Sequence, residues 1–132
     1  MGLDMYIHAF PKEAVQIVDG GIFIDKNIDP EEVMYWRKEH DLHGWMHKLH
    51  CRKHGNISPS EYNCVFTLLT LEDIDECIKD MEAYNLPETR GFFFGENPPD
   101  EESNFQNALK LLEVKEYIQN NPDKVILYSS WW

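Results

Sequence analysis

At 132 residues, with 42% hydrophobic and 13% aromatic content, the chain has the size of one domain and too much apolar mass for intrinsic disorder. Twenty-four acidic residues against twelve lysines and arginines give a formal charge of −12, a field that repels phosphate backbones and anionic bilayers and so excludes general nucleic-acid or membrane-surface binding. The three cysteines, Cys51, Cys64 and Cys77, form no Cys-x-x-Cys pair and there is no leader-like or membrane-length apolar run, which points to a reducing cytoplasm rather than export, a disulfide framework or a membrane span.

In chain order, Leu3, Met5 and Ile7 alternate with Asp4, Tyr6 and His8, the period-2 pattern of a half-buried strand over Leu3–Phe10. Asp19-Gly20-Gly21 signals a turn, followed by a short strand over Ile22–Ile24 that reads as a hairpin arm. Asp29-Pro30-Glu31-Glu32 has the form of a helix start, with an N-cap, proline at the first helical position and two carboxylates at the positive end of the dipole. The helix is predicted to run to His54, stopped by Gly55-Asn56, with Gly44 bending or splitting it. Its core face would carry Tyr35, Leu42, Trp45, Met46 and Leu49, and its histidines would lie with Trp36 on a different side. Asn63–Leu69 reads as a strand. Thr70 with Glu72 and Asp73 opens a helix reaching Tyr84, its apolar side formed by Leu71, Ile74, Ile78 and Met81 and its end set by Pro87. Gly91–Gly95 reads as a buried strand, Asp100–Gln119 as a helix with Phe105, Leu109, Leu112 and Ile118 on one face, and Val125–Trp132 as a closing strand with buried tryptophans. The expected whole is one α+β domain spanning 1–132: a mostly antiparallel sheet from strands near residues 3, 22, 64, 92 and 126, with about three helices packed on one face.

Charge is segregated within this frame. Between Trp36 and His54 stand five cations, Arg37, Lys38, Lys48, Arg52 and Lys53, against Glu39 and Asp41. His40, His43, His47, His50 and His54 recur at spacings of 3, 4, 3 and 4, which puts their rings on one helical stripe. His43 with His47, or His47 with Cys51, has the i, i+4 separation that lets two side chains chelate one divalent ion. The plainer reading is a solvated, weakly basic helix face. Tyr35, Trp36, Arg37, Lys38, His43 and Trp45 suit a ligand that is planar and anionic, because aromatic and guanidinium planes stack on rings while Arg and His donate to phosphate oxygens. Core aromatics and an internally paired arginine are the plainer alternative there. The sequence contains no Gly-x-x-x-x-Gly-Lys loop, Gly-x-Ser-x-Gly elbow or dinucleotide fingerprint, so the common enzyme signatures are missing.

Gly2-Leu3-Asp4-Met5-Tyr6, Tyr35-Trp36-Arg37-Lys38 followed by His43-Gly44-Trp45, Gly91-Phe92-Phe93-Phe94-Gly95 and Tyr128-Ser129-Ser130-Trp131 stand in that order along the chain. With them it resembles a family of small uncharacterised proteins of phages, prophages and bacteria. It departs from that family at His40, where asparagine is common, and in carrying His47, His50 and His54. The resemblance implies a phage-like accessory protein in the bacterial host cytoplasm. Together with the residue pattern it favours a non-enzymatic protein that binds a small anionic or nucleotide-like ligand, as in sequestration of a host signal for immune evasion. The alternatives are an acidic interaction module that mimics nucleic acid or inhibits a host protein, and a metal-dependent enzyme using the histidine stripe. No organic cofactor is expected, and a divalent metal on His43, His47 and Cys51 is the inorganic alternative. Membrane and direct nucleic-acid partners are not expected, and a homo-oligomer is compatible with the pattern.

Overall fold

Alternation in the first strand sets the architecture. The structure, a computed structural model, describes residues 2–86 and 101–132. In β1 (Asp4–Pro11), Met5, Ile7 and Ala9 are buried on one side while Asp4, Tyr6 and His8 are only half-buried on the other, as the pleat requires. A short hairpin follows, β2 (Val15–Val18) and β3 (Gly21–Ile24), turned through Asp19 (φ 52°) and Gly20 (φ 82°), the two left-handed positions of a tight two-residue turn. The chain continues through β4 (Glu31–Arg37), α1 (His40–His54), β5 (Thr67–Leu69), α2 (Leu71–Glu82), α3 (Glu101–Asn120) and β6 (Lys124–Trp131). The main sheet is antiparallel throughout, in the order β4-β1-β6-β5. The fold is α+β, as composition and patterning predict.

Between Asp29 and His54 the expectation of one continuous helix is corrected. Glu31–Arg37 is a strand, Lys38 takes a left-handed conformation (φ 59°), and the helix begins only at His40. An N-cap contributes about 1 kcal/mol to a helix. Pairing with β1 instead supplies a run of backbone hydrogen bonds in register Met5↔Trp36 and Ile7↔Met34 and buries the Trp36 indole to 2% exposure. Val33, Tyr35 and Trp36 are also residue types that suit a pleated surface. Tertiary pairing outweighs the local start signal. From His40 onward α1 is continuous through the buried Gly44.

The other strand expectations shift too. Residues 22–24 belong to the separate hairpin rather than the main sheet, and β4 takes an edge position in that sheet instead. Of the predicted Asn63–Leu69 strand only Thr67–Leu69 pairs, with Asn63 and Cys64 leading into it through a left-handed residue at Cys64 (φ 62°). The predicted Gly91–Gly95 strand lies outside the described residues, as do Pro87 and Asp100. Thr70 and Asp73 close a reciprocal capping box at the start of α2, which is the arrangement their spacing predicts.

The helices lie on the sheet face that carries Met5, Ile7, Trp36, Tyr128 and Leu69. There α1 reaches Tyr128 and Thr67 through His43 and His50, and α3 sets the Lys110 ammonium 5.8 Å from the Trp36 ring centre. Polar contacts fasten α2 to its neighbours: Trp45 Nε1 donates to Asp80 at 2.8 Å, Lys53 and Arg52 of α1 pair with Asp73 and Glu76, and Lys115 of α3 pairs with Asp75 at 2.8 Å. On α3 the inward residues are Ala108, Leu111 and Val114. Phe105, Leu109 and Leu112, which the pattern groups with Ile118 on one face, are 61%, 42% and 46% exposed. This helix is apolar on more than one side, so periodicity alone does not select the buried stripe. Among the described residues no helix is long and apolar enough to cross a membrane.

Candidate functional site

The break at Lys38 decides where each predicted site residue goes. In a strand, neighbours point to opposite faces. Trp36 therefore enters the core with Met5, while Tyr35 and Arg37 share the outward face with Tyr6 and Asp4. His43 and Trp45 lie on α1 and turn inward, to Tyr128 and Asp80. Lys38 occupies the turn, where its amide donates to Leu3 O at 2.8 Å. The six predicted residues do not converge: Tyr35, Arg37 and Lys38 flank the outward sheet face, whereas Trp36, His43 and Trp45 are 2%, 3% and 6% exposed.

The histidines are not a solvated stripe. His40, His43 and His50 are buried, His47 and His54 half-buried. The Nδ1 of His43 hydrogen-bonds Tyr128 Oη at 2.7 Å, and that of His50 hydrogen-bonds Thr67 Oγ1 at 3.0 Å. Tyr62, fully buried, joins the same Thr67 oxygen and donates to Met46 O at 3.2 Å. Its ring centre lies 5.2 Å from those of His43, His47 and His50. His54 uses both nitrogens: Nδ1–H donates to Gly20 O at 2.7 Å, and Nε2 accepts from the Leu68 amide at 3.3 Å. That pattern needs the neutral ring.

Burial, reinforced by His47 and His40, pushes the His43 pKa down from 6.5 to about 3. Burial, reinforced by His54 and His47, pushes that of His50 down to about 4. Removing an imidazolium from water costs more than these neutral hydrogen bonds recover for the charged form. The suggested His47–Cys51 chelate faces the Ile57 carbonyl, to which His47 Nε2–H donates at 2.7 Å and the Cys51 thiol at 3.7 Å. That geometry occupies the ring nitrogen with a proton rather than aiming its lone pair at an ion. Among the described residues no three His, Cys, Asp or Glu side chains gather as a metal-ligand group.

The outward face of the sheet is the part of the predicted site that keeps its character. Register places Arg37, Asp4 and Trp131 side by side on β4, β1 and β6, and Tyr35, Tyr6 and Ser129 in the next row. Tyr35 and Trp131 are 37% and 60% exposed. Tyr6 stacks at 5.6 Å on His8 and meets Tyr35 at 5.2 Å. Asp4 organises the corner: Tyr35 Oη donates to it at 2.5 Å and Arg37 Nε approaches it at 3.9 Å. The hydrogen bond to Asp4 is the main reason the Tyr35 phenol is held above its usual range. Arg37 is largely solvent-exposed, and a lone exposed ion pair of that length contributes little, on the order of 0–1 kcal/mol. Gly2 lies beneath this corner, where an added Cβ would sit 3.2 Å from Arg37 Nη2.

Tyr6 and Ser129 are residues to which the sequence pattern assigns no site role, and Trp131 is one it places by default in the core. Alternation through β1 and the closing strand was the available signal, since it puts Tyr6 and Trp131 on one face. The terminal tryptophans, expected buried, split: Trp131 faces outward, and Trp132 packs edge-on 5.2 Å from His43.

No protein-family model, curated protein or solved structure matches the chain.

Proposed function

We propose that the protein binds, without turning it over, a small planar ligand carrying a negative charge, of nucleotide type, on the outward face of its sheet. The supporting observation is one arrangement: exposed Tyr35 and Trp131 on the outer two of three adjacent strands, the Tyr6 ring on the strand between them, the small Ser129 beside Tyr6, and the Arg37 guanidinium at the edge, where it and Tyr35 hold the Asp4 carboxylate. Strands about 4.8 Å apart make this a platform the width of a fused ring system. An aromatic ring stacked on a base contributes roughly 1–3 kcal/mol, and a charge-assisted hydrogen bond roughly 1.5–3 kcal/mol. After ordering costs these sum to micromolar or weaker affinity.

Arg37 and Lys38 supply the positive groups in a chain that otherwise repels anions, so the contrast favours a single small anion over a polyanion. The inward histidines hydrogen-bond within the core, which favours binding over acid–base turnover. In the phage-like setting implied by the motif resemblance, the ligand is a host signalling nucleotide held out of circulation.

Calorimetry against a panel of mononucleotides and cyclic nucleotides tests this. At least one should release heat, with Arg37→Ala and Tyr35→Ala each weakening it tenfold or more. Silence from the whole panel, or binding indifferent to both substitutions, removes the sheet face as a nucleotide site.

A further inference from the structure

A second surface, on the opposite side of the helical layer, has a different chemistry. Between the end of α2 and the first half of α3 runs a groove of about 770 Å³. Its floor is Met81 and Ala108, which are buried, and its walls are Tyr84, Phe105, Leu109 and Leu112, which are 58%, 61%, 42% and 46% exposed. Phe105, Leu109 and Leu112 stand at i, i+4 and i+7, a continuous stripe along one side of α3. Large apolar side chains gathered in one exposed stripe mark an interaction surface far more often than scattered ones do.

Charge selects the occupant. Carboxylates of Glu82 and Glu102 line the groove. Across α2 and α3 as a whole there are ten carboxylates against three lysines. Two of those lysines are engaged, Lys110 on the Tyr35 carbonyl at 3.1 Å and Lys115 on Asp75, while Asp73, Glu76 and Asp80 pair with Lys53, Arg52 and the Trp45 indole, which leaves Glu82 and Glu102 as the acid that lines the groove. An anionic bilayer or nucleic acid meets repulsion here, and a second copy of the chain would set one acidic rim against another.

We propose that the α2–α3 groove docks an amphipathic helix of a partner protein whose apolar stripe is flanked by lysine or arginine. The apolar side chains would fill the stripe and the cations would meet the acidic rim, the helix-in-groove mode of recognition. The sheet-face site and this groove share no residue, so either can fail alone.

The test uses the full-length chain, isotopically labelled, and two model helices with the same leucine stripe, one flanked by lysine and one by glutamate. The lysine peptide should shift the amide signals of Tyr84, Phe105, Leu109 and Leu112, and bind at least tenfold more tightly than the glutamate peptide. The double variant Phe105→Ser/Leu109→Ser should weaken it at least tenfold while the rest of the spectrum stays in place. Leu112→Ser is the milder variant should the double change perturb folding. Three results overturn the proposal: no binding, equal binding to wild type and variants, or a concentration-dependent dimer in sedimentation that the double variant abolishes, which would make a second copy the occupant.

Discussion

The Thr67 hydroxyl is a small group with large leverage. It is fully buried on the core face of β5 and is shared by His50 Nδ1 and the Tyr62 hydroxyl. Replacing it by an isosteric methyl leaves two buried polar atoms short of this partner, and an unsatisfied buried group costs roughly 1–3 kcal/mol. Tyr62 keeps its bond to Met46 O, so Thr67→Val should lower unfolding free energy by about 1–3 kcal/mol. Tyr128→Phe removes the bond to His43 Nδ1 and should cost about 1–2 kcal/mol. Urea titrations of both variants check these losses. If Thr67→Val proved as stable as wild type, the polar network would not be holding α1 to the sheet.

At the scale of elements, the fold was legible wherever a local pattern and a tertiary demand agreed. Alternation in β1 agrees with its central place in the sheet, and the Thr70–Asp73 spacing agrees with the capping box that opens α2. Legibility failed where they conflicted. Asp29-Pro30-Glu31-Glu32 is a sound helix start, yet the unpaired edge of β1 recruits Glu31–Arg37 as a strand. That single switch carries Trp36 to the face opposite Arg37 and dissolves half of the predicted site. The histidine spacing fixes one stripe but not the direction it faces. Pattern places polar residues outward, whereas Tyr128 and Thr67 opposite His43 and His50 give these two rings partners in the core. On α3 two apolar stripes compete, and the neighbouring α2 decides which is covered.

The strand-to-helix break also makes a testable claim. Lys38 holds φ 59°, a conformation that costs a residue with a Cβ about 1 kcal/mol or more and glycine little. Lys38→Gly keeps the amide bond to Leu3 O, so stability should stay level or rise by up to about 1 kcal/mol, the larger unfolded-state entropy of glycine offsetting part of the relief. A loss beyond that range in thermal or urea unfolding would mean the side chain, not the turn, is what matters there.

For the molecule as a whole, acid is the condition that should expose how the core is built. His43 and His50 have folded-state pKa values of about 3 and about 4, against 6.5 for an unperturbed imidazole. His54 and His8 are shifted in the same direction, burial being the first cause in each. Groups depressed on folding bind protons in the unfolded chain first. Their contribution is therefore complete above about pH 6.5 and is lost as pH falls from there toward the folded values. Between pH 6.5 and 5 each of His43 and His50 should remove about 1–2 kcal/mol. The opposing effect, relief of repulsion among 24 carboxylates, belongs mainly to lower pH, because carboxyl groups titrate near 4. The two processes thus separate in pH. Urea midpoints measured at pH 7.5, 6.5, 5.5 and 5 should fall slightly across the first pair and then steeply. A flat or rising series would show that the rings already carry protons in the folded state, and the neutral His43–Tyr128 and His50–Thr67 pairing would have to be abandoned. The sheet-face residues Tyr35, Arg37 and Trp131 belong to the outward side of the sheet and share no hydrogen bond with His43 or His50, so the nucleotide test stands apart from this one.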